Sequence, residues 1–147
     1  SETIFENRFM HVPELLRMED GSAAFPDFPN LSEKWNEGAE YITVYPNVLL
    51  GVQRDHAFAI VLEPKAHDKT VEHIHLYYAS EETKAANRAV NTRQWKEVFE
   101  EDIFVVEGMQ SGRHAPTFDG GRFSPVMDEP THCYHDWVAG EIASHRG

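Results

Sequence analysis

Between Glu81 and Gln110 the chain carries no proline, and its first glycine in that span is Gly108. Immediately before it come three runs rich in β-branched and aromatic residues: YITVYPNVLLGVQ (41–53), HAFAIVLEP (56–64) and TVEHIHLYYA (70–79). The succession of these two halves constrains the fold more than any other feature. Runs of such composition suit pleated, half-buried strands. The joints between the second pair of runs and its neighbours, Arg54-Asp55 and His67-Asp68-Lys69, are too short for a parallel crossover, so adjacent strands run antiparallel. Pro46-Asn47 predicts a bulge or a sheet edge within the first run. The proline-free stretch reads as helix throughout, with a break into two helices expected near Asn87 to Asn91.

The flanks are less regular. Residues 1–37 look irregular, with one short helical pattern from Pro13 to Met18. Their AFPDFPN segment is extended or turn-like, because proline disfavours helix at itself and at its predecessor. SGRHAPTFDGGRFSP (111–125) is a loop. The segment DEPTHCYHDWVAGEIASHR starts a final helix, with Asp128 as cap and Pro130 in the first turn. The sum is an α+β layer arrangement, a meander of antiparallel strands crossed by a long helix.

At 147 residues with 41% apolar and 12% aromatic residues, the chain suits one globular domain with a real core. The formal charge is −12 and no basic run exceeds two residues, which argues against binding a phosphate backbone. No apolar window approaches the roughly 18 residues of a membrane helix. A single cysteine, Cys133, excludes a disulfide framework or a multi-cysteine metal cluster within the chain, and points to a reducing cytoplasm. The chain begins at Ser1 without a signal peptide, and so reads as trimmed or as a piece of a longer polypeptide.

The helical stretch holds an anomaly. Steps of three and four from Trp95 reach Val98, Phe99, Asp102, Val106 and Met109, one stripe of a helix. Asp102 is the only charge on it. An unpaired buried carboxylate costs several kcal/mol or takes up a proton. The position therefore suits a carboxylate aimed into a cavity, as a metal ligand or an acid–base group. Rotating the stripe by about 40° puts Ile103 and Phe104 on the core instead, and leaves Asp102 on a wet flank beside Glu100 and Glu101. Periodicity alone leaves both open.

Other clusters have plainer explanations. His73 and His75 share one face of a strand, as a metal pair or as a satisfied, exposed pair. Val71 and Tyr77 share that face, and no third ligand lies near in sequence. His132-Cys133-x-His135 brings ligand types together, but zinc sites use two spaced pairs and no partner pair exists here. Gly120-Gly121-Arg122 is turn chemistry without the strand-to-helix setting of a phosphate loop.

Taken in order, FPDFPN, YPNVLLGVQRDHAFAIVLEP, DKTVEHIHLYY, FEEDIFVVEGMQSG, GRFSP and EPTHCYHDWV resemble the C-terminal part of the catalytic domain of Rieske non-haem iron oxygenases. These are the large subunits of aromatic-ring-hydroxylating oxygenases, and the carnitine and betaine oxygenases share the pattern. The resemblance spans roughly residues 25 to 140. It implies a helix-grip (START/SRPBCC-like) fold, an antiparallel sheet packed on a long C-terminal helix, incomplete because the chain looks truncated. It implies a ferrous iron held by two histidines and a carboxylate, with Asp102 as that carboxylate and His73, His75, His132 and His135 away from the metal. Substrate would lie between sheet and helix, which makes Val98, Val106 and Met109 candidate pocket lining.

The same resemblance puts the two histidine ligands upstream of the FPDFPN-like segment, where only His11 is found. The 2Fe–2S Rieske cluster needs two cysteines and two histidines, which one cysteine cannot supply. Residues 1–147 then correspond to the C-terminal part of one catalytic domain. The Rieske domain and the N-terminal part would be absent, and the chain alone would bind neither Fe(2+) nor the cluster and be inactive. The parent would use O2, an aromatic or quaternary-amine small molecule and an electron-transfer reductase or ferredoxin, commonly as a homotrimer, with no nucleic acid or membrane partner. Two other readings are a non-catalytic helix-grip module for a small molecule and a cupin-like metalloenzyme built on His73 and His75.

Overall fold

The computed structural model describes the backbone of residues 5–11 and all of residues 25–145. Five strands form one sheet in the order of the chain: β1 (Phe5–His11), β2 (Gly38–Val44), β3 (Val48–Val52), β4 (His56–Ala66) and β5 (Lys69–Tyr78). Every neighbouring pair is antiparallel. Two helices follow, α1 (Ala85–Gly112) and α2 (Glu129–Ser144). The α+β class and the antiparallel meander stand as expected from the short joints.

Three expectations need correction. Residues 1–37 are not irregular throughout, because Phe5–His11 pairs with β2, Arg8 opposite Tyr41. Glu6, Asn7 and Arg8 hide the strand in the sequence, and a partner more than thirty residues away makes it one. The helical pattern from Pro13 to Met18 lies outside the described residues. The run 41–53 is two strands, not one with a bulge. The chain turns over Tyr45–Asn47, where the Tyr45–Pro46 peptide is cis. Asn47 then ties that turn to β4, its Nδ2 donating to the Leu62 carbonyl at 2.9 Å and its carbonyl accepting from the Leu62 N–H at 2.9 Å.

The break expected at Asn87 to Asn91 does not occur, and α1 is continuous. Asparagine disrupts helices when its side chain bonds its own backbone. Asn91 is buried and its amide is engaged by Tyr78 and His56 instead. Asp128 does occupy the cap position of α2, with a proline in the first turn. Its carboxylate, however, accepts the Ser124 N–H at 2.7 Å and bonds none of the helix's own donors.

The chain divides into two compact units, Ser1–Phe104 and Val105–Gly147. In the first, α1 packs on the sheet through an aromatic cluster. Phe58, Ile60 and Trp95 are buried, and Tyr41, Leu49, Leu62, Leu76, Val98 and Phe99 pack around them. Trp95 meets Phe58 edge-on at 4.6 Å, stacks on Phe99 at 5.5 Å, and Phe99 closes on Phe58 at 5.2 Å. Such pairs contribute about 0.5–1.5 kcal/mol each beyond the area they bury. The start of the apolar stripe thus faces the sheet as its period implies.

Gly51 lies opposite Phe58, and the ring fills the space a side chain would take. Gly51→Ala puts a Cβ against Phe58 Cε1 and Cζ, which belong to the rigid core. Overpacking of this kind costs about 1–3 kcal/mol. The variant should unfold at lower urea concentration with an unchanged m-value.

Upstream of β2, the AFPDFPN segment docks on the β3–β4 turn. The Phe28 N–H bonds the Arg54 carbonyl at 2.8 Å, and Arg54 grips both oxygens of Asp27, Nε to Oδ1 at 2.8 Å. That hydrogen bond holds the Asp27 carboxyl below its ordinary 3.8, against a smaller opposing effect of burial. A depressed folded value means stability present above the unfolded value and lost as pH falls through the folded one. Both partners are solvent-exposed in part, so the pair contributes about 0.5 kcal/mol. Asp27→Asn should be less stable by about that amount near pH 7. The two proteins should converge in urea midpoint as pH falls below 3.8.

Candidate functional site

Polar residues are rarely buried without partners, yet the β3–β4 turn buries three in succession around one arginine. Gln53, Asp55 and His56 are 0%, 2% and 2% exposed. The turn is closed by the Gln53 N–H on the His56 carbonyl at 2.9 Å, and the Ala79 N–H bonds the Asp55 carbonyl at 3.3 Å. His56 opens β4 and faces Tyr78 across the strand pair. From α1, Trp95 reaches the same ring, its Nε1–H bonding His56 Nε2 at 2.9 Å.

That bond settles the imidazole's tautomer. An indole nitrogen only donates, so His56 Nε2 must accept and the ring proton sits on Nδ1. Nδ1 then donates to Asp55 Oδ1 at 2.6 Å. Asn91, one turn before Trp95, places Nδ2 3.4 Å from His56 Nε2 and accepts the Tyr78 hydroxyl on Oδ1 at 3.2 Å. Burial holds the Tyr78 phenol above its ordinary value, opposed by a hydrogen bond to Thr92, so it remains a donor. Phe25 covers the group, 4.6 Å from the Tyr78 ring and 6.0 Å from His56. The side-chain amide of Gln53 has no hydrogen-bond partner on either atom among the described residues.

None of this polar group was singled out from the sequence. Its signal was there in part: a polar turn, Gln53-Arg54-Asp55-His56, between two apolar runs, and Asn91 and Trp95 one helical turn apart. Nothing local says that the turn and the helix meet.

Asp102 lies on α1 and is exposed. On the same helix Glu97 pairs with Arg93 at 4.0 Å and Glu100 with Lys96 at 3.4 Å, whereas the Asp102 carboxylate has no partner among the described residues. Val98 packs against the aromatic cluster. Val106 and Met109, in the second unit, are 62% and 58% exposed. Ile103 and Phe104 are exposed too, so those two do not face the core, while Asp102 does lie on a solvated flank beside the exposed Glu100 and Glu101. A carboxylate is a suitable hard donor for ferrous iron, and Asp102 fits as one ligand. No group of three His, Cys, Asp or Glu able to hold a metal occurs among the described residues, so they do not complete such a site.

The remaining candidates are ordinary contacts. His73 Nε2 lies 2.9 Å from Glu63 Oε2, and Lys65 and His73 together hold the Glu63 carboxyl below its usual range. His75 is exposed on β5. In the second unit His132 and His135 flank the Phe123 ring edge-on at 5.0 and 5.1 Å, and His132 also faces Asp136 at 3.7 Å.

Trp95→Phe keeps an aromatic ring beside Phe58 and Phe99 but removes the N–H together with part of the buried indole volume. It should lower unfolding free energy by about 1 kcal/mol, read by urea titration, and the side-chain nitrogen-15 spectrum of His56 should lose its single Nδ1–H form.

A search of curated proteins returns no match to the chain. Among protein families, the model of the ring hydroxylating alpha subunit (catalytic domain) matches residues 4–144. That span is nearly the whole chain, and the protein therefore belongs to the family of ring-hydroxylating alpha-subunit catalytic domains.

Proposed function

We propose that these residues are the C-terminal part of the catalytic domain of a Rieske-type non-haem iron oxygenase, which hydroxylates an aromatic or quaternary-amine small molecule with O2. The family match over residues 4–144 carries this proposal. The carboxylate of Asp102, exposed on α1 and without a partner among the described residues, is compatible with its assignment as an iron ligand.

In the parent subunit Asp102 supplies the carboxylate ligand, and two histidines upstream of these residues supply the rest. Ferrous iron, when held there, provides the activation of O2. A Rieske cluster in a separate N-terminal domain would supply the electrons, taken from a reductase or ferredoxin, in a cytoplasmic parent proposed to form a homotrimer. Asp102 would hold the metal as its anionic oxygen ligand. Val98, Val106 and Met109 are apolar residues of the same helix and are proposed as substrate lining, of a kind that suits an aromatic ring or the methyl groups of a quaternary amine.

The test is made in the oxygenase subunit that carries this chain. Asp102→Ala should abolish the mononuclear iron and turnover while the Rieske absorbance stays unchanged. Glu101→Ala should leave both intact. Turnover retained in Asp102→Ala would refute the assignment, whereas an unsubstituted subunit with neither iron nor turnover would favour a non-catalytic small-molecule-binding module.

A further inference from the structure

The polar joint between the β3–β4 turn and α1 is an unusual way to seat a helix. Apolar side chains of the same volume would pack there at no desolvation cost. Apolar packing alone, however, tolerates small rotations and slides between near-equivalent arrangements. A directional hydrogen bond in a site with no competing water does not. Trp95 has its indole N–H committed to His56 Nε2, His56 has its tautomer committed by Asp55, and Asn91 spans from His56 to the Tyr78 hydroxyl.

Trp95 and Asp102 are seven residues apart. On an α-helix that separation is about 700°, within about 20° of two full turns, and about 10.5 Å along the axis. The azimuth of Trp95 is therefore the azimuth of Asp102. The intervening turns are stiff, since Phe99 stacks on Trp95 and meets Phe58, and Val98 packs on the same cluster. Ile103 and Phe104 beyond them are exposed. A 20° rotation of α1 would swing a carboxylate about 5–6 Å from the axis by about 2 Å. Functional groups in a preorganised site need placement to about 0.5 Å.

We propose that His56, oriented by Asp55, is a positioning residue for Asp102: through Trp95 it sets the direction in which that carboxylate leaves α1. The proposal rests on the assignment of Asp102 as the functional carboxylate. His56 touches neither metal nor substrate in this scheme. It acts by refusing α1 any other rotation.

The experiment uses the oxygenase subunit carrying this chain, with iron content per folded subunit, Rieske absorbance, and peroxide released per O2 consumed as readouts. His56→Leu and Trp95→Phe should each weaken mononuclear iron binding by about 10-fold, the lower range for residues that orient a ligand. Uncoupled peroxide release should rise in both, while helix content and Rieske absorbance stay constant. His56→Gln, whose carbonyl can accept at the Nε2 position, should recover most of the affinity. Where His56→Leu fails to fold, Trp95→Phe is compared with His56→Gln, which keeps an acceptor for the indole N–H and leaves the Trp95 packing untouched.

Full iron affinity and coupling in Trp95→Phe, with Asp102→Ala iron-free, would overturn the positioning role and leave the Asp102 assignment standing. Failure of His56→Gln to improve on His56→Leu would also overturn it, by reducing His56 to a packing residue. Full iron in Asp102→Ala would remove the assignment itself and the proposal with it.

Discussion

The hydrogen bond from the Trp95 indole to His56 is the constraint on which the first compact unit depends. One donor-only nitrogen dictates the tautomer of a buried imidazole, and the tautomer dictates where Asp55 must be. Asp55 and His56 in turn fix the conformation of the turn joining β3 and β4. On the helix side, Asn91 carries the same network to Tyr78 on β5, and Phe25 closes it from the segment before β2. Three separate parts of the chain, the β3–β4 turn, β5 and α1, are held by polar groups that are each expensive to leave unpaired, at about 1–3 kcal/mol apiece. Beside it the Phe58–Trp95–Phe99 cluster supplies the bulk of the apolar burial. Packing provides the affinity of helix for sheet, and the polar joint provides its angle.

The consequence for function lies in how α1 is used along its length. Its first half is seated on the sheet. From Asp102 onward it displays a carboxylate free of the ion pairs that occupy Glu97 and Glu100, followed by exposed Ile103, Phe104, Val105, Val106 and Met109. A helix held firmly at one end and bearing an unpaired acid past its last packed turn can present that acid to something else. The chain belongs to the ring-hydroxylating alpha-subunit catalytic domains, and the ligand role proposed for Asp102 would give such an acid a purpose.

Much of this was legible in the residues. β-branched and aromatic runs with short joints gave an antiparallel meander, and the proline-free stretch gave a long helix, because both signals are local. The errors came where local preference met a distant partner. Phe5–His11 is a strand by virtue of β2, and its own polar residues conceal it. Asn91 failed to break α1 because Tyr78 and His56 occupy its amide. Asp128 sits at the cap of α2 as expected, while its carboxylate went to Ser124. The His73 and His132 clusters resolved into a carboxylate contact and an aromatic sandwich, neither of which spacing could distinguish from a ligand pair.

The chain's sequence by itself determined the fold class, the helix that carries Asp102, and the anomaly of an acid on an apolar stripe. Those follow from composition and from periods of 2 and 3.6, which depend only on neighbours along the chain. Only the tertiary structure decided that Asp55, His56, Asn91, Trp95 and Tyr78 form one buried network, since their bonds span up to 39 positions. It also decided which half of the stripe is covered. A periodic pattern names the side of a helix that prefers burial, but how far the burial extends depends on the sheet laid against it.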